Sequence, residues 1–69
     1  MPRIVVQANI GKTVEQKAEL IRRITAAMVD VFGSVPDTVS VLIQESDPNN
    51  VGRAGITDAE RQRQAKAAS

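Results

Sequence analysis

Apolar residues recur with two different periods along this chain. From Arg3 to Ile10 they alternate, with Ile4, Val6, Ala8 and Ile10 on one face and Arg3, Val5, Gln7 and Asn9 on the other. A period of two predicts a β-strand whose first face is wholly apolar and whose second turns polar towards its end. Gly11-Lys12 breaks that pattern. Thr13-Val14-Glu15-Gln16 then fits a capping box, in which the threonine hydroxyl accepts from the third helical N–H and Gln16 reaches back to the cap. The period lengthens to that of a helix: Val14, Ala18, Ile21, Ile24 or Thr25, Met28, and Val31 or Phe32 form a stripe that Leu20 and Ala27 widen. Lys17, Glu19, Arg22, Arg23 and Asp30 lie mostly away from it. Gly33 is the natural stop, and Ser34-Val35-Pro36-Asp37 forms the turn. Alternation returns from Thr38 to Glu45, where Val39, Val41 and Ile43 interleave with Ser40, Leu42 and Gln44.

Strand, long helix and strand make a βαβ unit, so the two strands should run parallel with a right-handed crossover. A two-stranded parallel sheet needs both faces and its edges covered, which argues for assembly. The stripe is wide enough for a helix with more than one neighbour. Beyond the second strand, Ser46-Asp47-Pro48-Asn49-Asn50 has loop composition, and Val51 to Gly55 forms a short hairpin or an arm laid on another subunit. Thr57-Asp58-Ala59-Glu60 is a second capping-box signature. It opens a stretch, Arg61 to Ser69, that is polar all round and marginal as an isolated helix, so fraying is expected unless a neighbouring subunit supports it. The fold class is α/β (α+β), a single domain over residues 1–69 with its core in 2–55 and a polar tail in 56–69.

Composition sharpens the need for assembly. A chain of 69 residues buries only about 60% of the surface its unfolded form exposes, and often needs a disulfide, a metal or a partner subunit. With no cysteine and no histidine, disulfides are excluded and a zinc site is not expected. Oligomerisation remains. Phe32 is the one aromatic, so the core is aliphatic. Nine basic and eight acidic residues nearly cancel, and no aromatics interleave with the basic ones, so neither nucleic acid nor membrane is an expected partner. No apolar run is long enough to span a bilayer and no secretory leader is evident, which makes the cytoplasm the default location. Gly52 and Gly55 lack the following lysine of a phosphate loop. Without His or Cys, catalysis would have to come from a carboxylate, a hydroxyl, a lysine or an amine. Pro2 supplies a candidate: removal of Met1 would leave a secondary amine at the first position of a strand, where proline is tolerated.

These residues resemble the 4-oxalocrotonate tautomerase family of the tautomerase superfamily. The likeness rests on Met1-Pro2, Gly11-Lys12-Thr13, Glu15-Gln16-Lys17, Leu20-Ile21, the run Val39 to Glu45, and Asn50-x-Gly52-x-x-Gly55, in order and at the family's spacing over residues 2–55. Each motif is weak; together they are specific. The resemblance implies a βαβ protomer with a C-terminal hairpin, pairs of protomers joined into a four-stranded layer, and three such dimers in a hexamer. It implies a cofactor-independent enzyme in which the amino-terminal proline shuttles a proton between the dienol oxygen and carbon of a small 2-keto acid such as 2-hydroxymuconate, a chemistry of aromatic degradation.

Carried over by position, Pro2 matches the base. Lys12 stands where the family usually has an arginine for the distal carboxylate, keeping the charge but losing the bidentate fork. Asn9 matches a position that lines the site from a neighbouring subunit. Two departures matter more. Ser40 replaces an arginine that polarises the substrate's 2-oxygen and carboxylate, and Val51 replaces an aromatic that keeps the proline's surroundings apolar. Losing one such donor can cost on the order of a hundredfold. Arg53 and Arg3 are candidate substitutes, Arg3 the poorer because its side chain leaves the strand opposite its neighbours. The missing arginine also motivates a second reading, a non-catalytic or partner-dependent subunit that takes this residue from another chain in a hetero-oligomer. A third is promiscuous hydration or dehalogenation, with Glu45 or Asp47 activating water.

Overall fold

The computed structural model describes residues 2–68. Strand β1 spans Arg3–Asn9, helix α1 Val14–Phe32, strand β2 Ser40–Ser46, strands β3 and β4 Gly52–Arg53 and Ile56–Thr57, and helix α2 Asp58–Ala68. Short 3-10 turns occupy Pro36–Thr38 and Pro48–Asn50. Strands β1 and β2 pair in parallel from Arg3 opposite Ser40 to Asn9 opposite Ser46. This is the βαβ arrangement read from the sequence. Its limits shift slightly: Ile10 leaves the strand but still donates its N–H to the Ser46 carbonyl at 3.0 Å. Thr38 belongs to the 3-10 turn, its hydroxyl donating to the Val35 carbonyl at 2.7 Å, so β2 starts two residues later.

The ends of α1 follow local chemistry. The Gln16 N–H donates to the Thr13 hydroxyl and the Thr13 N–H to the Gln16 side chain, both at 3.0 Å, which completes the capping box. At the other end Gly33 adopts φ 70°, and its N–H donates to the carbonyls of Met28 and Val29. On the outer surface Glu19 accepts from Arg22 at 2.6 Å and from Arg23 at 2.9 Å. The Arg22 hydrogen bond, then that of Arg23, holds its carboxyl below the ordinary value.

The helical stripe is only half used. Ile24, Thr25, Met28 and Val29 are half-buried, whereas Val14 and Phe32 are both 74% exposed. The sheet shows the same division. Ile4, Val6, Val41 and Ile43 are half-buried. On the opposite face Val5 and Leu42, register partners, are 46% and 47% exposed, and the Gln7 amide donates to the Gln44 side chain at 3.2 Å. Among the described residues only Ala59, 8% exposed, is buried. The accessible surface of 5421 Å² exceeds the roughly 4,200 Å² expected for a compact monomer of this mass. The radius of gyration of 16.1 Å likewise exceeds the roughly 11 Å of a compact chain. A single chain of this form leaves large apolar side chains, Val5, Val14, Phe32 and Leu42 among them, exposed.

The C-terminal third forms a second, smaller cluster. Val51 to Gly55 becomes a hairpin: β3 and β4 are antiparallel, joined by Ala54 at φ 55° and Gly55 at φ 79°. Two positive φ values make a type I′ turn, whose twist matches that of the strands. Gly52 is fixed by close approach, since a Cβ there would lie 3.0 Å from the Ile56 carbonyl oxygen. The polar stretch expected to fray is instead helical through Ala68. The Glu60 N–H donates to the Thr57 hydroxyl at 3.1 Å, Asp58 and Glu60 lie in the first turn and Lys66 in the last. That arrangement complements the helix dipole, and alanine-rich sequence favours the rest. The Asp58 N–H also donates to the Val51 carbonyl at 2.7 Å, tying α2 to the hairpin.

Candidate functional site

The six residues singled out in the sequence fall into two groups at opposite ends of the sheet. Pro2 immediately precedes β1, is half-buried, and accepts at its carbonyl from the Ser40 N–H at 3.0 Å. Ser40 opens β2 beside it, with Arg3 as its register partner on the open face. At the far end, Asn9 closes β1 and Lys12 follows in the connection to α1. Strand β1 has seven residues, so Pro2 and Asn9 stand about 23 Å apart at the ordinary strand rise. Within one protomer these two groups do not meet.

The far end contains two adjoining clefts. One, of about 200 Å³, lies between α1 and the sheet. Val6, Leu20 and Ile43 give it apolar walls, while Asn9, Lys12 and Gln16 stand around it. Lys17 and Glu45 close one side with an ion pair of 2.8 Å. The second cleft shares Ala8 and Asn9 with the first and is bounded by Gln7, Gln44, Ser46 and Val51. Asn9 and Val51 thus come together across elements, with Lys12 on the adjoining cleft.

Arg53 lies on β3, just beyond Val51. Val51 is extended (φ −125°, ψ 130°), so side chains two residues apart leave the arm on the same face. The side chains of Arg53, Lys12 and Arg3 form no ion pair among the described residues. The carboxylates considered for water activation are otherwise occupied. Glu45 is held by Lys17, and Asp47 accepts from the Asn49 N–H at 2.8 Å and from its side-chain amide at 3.0 Å, capping the 3-10 turn. No group of three His, Cys, Asp or Glu side chains gathers to hold a metal among the described residues, and no helix there is long and apolar enough to cross a membrane.

One residue at this end escaped the sequence reading. Arg61, in α2, donates from Nη2 to the Arg53 carbonyl at 3.1 Å, and its Nε is enclosed without an acceptor. Nothing in the local pattern marks it, because a contact eight residues apart across a strand, a turn and a helix start has no characteristic spacing.

The geometry can be set beside known proteins. A family model described as Tautomerase enzyme matches residues 2–61. A curated probable tautomerase from Dickeya dadantii is 42% identical over 55 residues, 80% of this chain and 82% of that protein. Among solved structures, one of the 4-oxalocrotonate tautomerase isozymes from Methylibium petroleiphilum superposes with a TM-score of 0.83 at 38% identity. It covers 99% of this chain and 100% of its own, so the likeness continues through α2. A heterohexamer 4-oxalocrotonate tautomerase from Chloroflexus aurantiacus gives a TM-score of 0.78 at 35% identity, covering 87% of this chain and 97% of its own.

Proposed function

The chain belongs to the tautomerase family, and from that premise we propose that it is a cofactor-independent isomerase interconverting the enol and keto forms of a small 2-keto acid such as 2-hydroxymuconate. Pro2 is the general base, its amine exposed by removal of Met1, a residue outside those described. The observation that carries this reading is the placement of Pro2: it leads directly into β1, half-buried, with its carbonyl held by Ser40. A fixed amine in apolar surroundings near cations loses part of its preference for the protonated form. That brings it towards the neutral range where a base is most effective, an effect worth roughly a hundred- to ten-thousandfold.

The remaining work is to hold the carboxylates and steady the enolate oxygen. Pro2 and Asn9 stand far apart in one protomer, so the working site joins Pro2 of one chain to Asn9, Lys12 and Val51 of another, in a homohexamer built as a trimer of dimers. Lys12 binds the distal carboxylate. Arg53, without an ion pair among the described residues and on the Val51 face of its arm, supplies the cation that Ser40 lacks.

The test is ketonisation of 2-hydroxymuconate followed by ultraviolet absorbance against pH, on protein whose mass shows that Met1 is gone. The rate is expected to follow a basic group titrating near neutrality. Pro2→Ala should lower kcat by about a hundredfold or more with the oligomer unchanged by light scattering, and an active Pro2→Ala protein would falsify the proposal. A second reading is favoured by Ser40 together with the heterohexameric Chloroflexus relative: the chain is one of two kinds of subunit, and its site is completed by an arginine from the other. It predicts weak activity alone and a rise on mixing with an arginine-bearing homologue.

A further inference from the structure

The arm that carries Arg53 is fastened by the helix that follows it. The bond from Arg61 Nη2 goes to the main-chain carbonyl of Arg53, not to a carboxylate, and Arg61 forms no ion pair among the described residues. The residue is half-buried, and its Nε is enclosed with no acceptor. Enclosing a cation this way is unfavourable, and a methionine would fill the same space without that penalty. What the arginine adds is the hydrogen bond to the strand bearing Arg53.

That strand needs such a bond. It is two residues long, in a hairpin too short to be stable by itself. Just before it, the Val51 carbonyl accepts from the Asp58 N–H at the start of α2. The two bonds grip Val51 and Arg53, the residues whose side chains leave on one face. With the backbone clamped at both, the Arg53 guanidinium is swung from a fixed root.

We propose that Arg61 is a positioning residue for Arg53, which makes α2 part of the anion-binding site for substrates that carry a carboxylate. The inference rests on Arg53 supplying the anion-binding cation that Ser40 lacks, beside Lys12 at the distal carboxylate, as read above. Arg61 itself does not touch substrate. Its removal loosens the grip on the anion and leaves the base alone.

The experiment measures binding of cis,cis-muconate, a dienedioate with no enol to react, by calorimetry on the full-length assembled protein. Arg53→Ala is expected to weaken binding about ten- to hundredfold, the share of a charge-assisted hydrogen bond. Arg61→Met should weaken it several-fold at unchanged oligomer size, and Arg61→Lys, which retains a donor, should recover part of the loss. In the Arg53→Ala background Arg61→Met should do nothing further, because a positioning residue acts only through what it positions. An Arg61→Met effect that persists undiminished in that background overturns the proposal. So do an effect that comes with dissociation, binding indifferent to Arg53→Ala, and an unaltered protein that does not bind muconate. A protein whose muconate binding depends on Arg53 and, through it, on Arg61 yet turns over no enol overturns the isomerase reading and leaves this one standing.

Discussion

The two ends of the parallel sheet are built on different principles. At the start of β1 the chain places one reactive residue, Pro2, and holds it with main-chain contact to Ser40. At the far end it gathers side chains from four separate segments, the polar Asn9, the cationic Lys12 and Lys17 and the apolar Val51, with Arg53 beyond. The first end offers a base with little to bind; the second offers binding groups, with its carboxylates Glu45 and Asp47 already engaged by Lys17 and Asn49. A strand length separates them, and no side chain of this protein spans it. Catalysis of the proposed kind therefore belongs to the junction of two chains.

Mixing crippled chains puts that division to its strongest test. Pro2→Ala lacks the base and Lys12→Ala the carboxylate ligand, so each alone should turn over a dicarboxylate poorly. Denatured together and refolded, they should regain activity, since random assortment leaves about one junction in four with both residues intact. Recovery should be absent if base and ligand act within one protomer. Leu42→Asp probes the surface that brings the ends together. It sets a carboxylate beside Val5 on the open sheet face, and burying an unpaired charge there costs several kcal/mol. Light scattering should show smaller species and activity should fall with them; an intact oligomer would mean this face stays in water. The smallest effect concerns the arm. Ala54 holds a left-handed conformation that costs a non-glycine residue roughly 1–2 kcal/mol and that asparagine tolerates better. Ala54→Asn should raise the thermal midpoint slightly, with muconate affinity equal or higher.

What the sequence disclosed and what it hid divide by range. The capping box at Thr13 and Gln16, the stop at Gly33 and the alternation of Val41 and Ile43 were legible because each depends on residues within a turn or two. The parallel pairing followed from connection length. The used half of the α1 stripe was not legible: Val14 and Phe32 fit the period as well as Ile24 and Met28 do, and only the position of the sheet distinguishes them. Helix α2 was underestimated because its apolar stripe is absent, while its cap at Thr57, its end charges and the anchoring of Ala59 sufficed. Of the candidate site, Pro2 was reached by eliminating other catalytic groups, and Asn9, Lys12, Ser40, Val51 and Arg53 were named from resemblance. Their partition between two ends follows from the strand rise and the pairing register. Arg61 could not be named, because its partner is a carbonyl brought near by a turn.

The near absence of buried side chains among the described residues has a consequence for how this protein is counted as well as how it folds. If the closed core exists only between copies, the midpoint of unfolding is set by how much protein there is. Dilution alone should then melt it, and a tenfold rise in chain concentration should protect it as a bound ligand would. Newly made chains would face proteases until enough had accumulated to pair. Expression level, for such a protein, is a term in its stability.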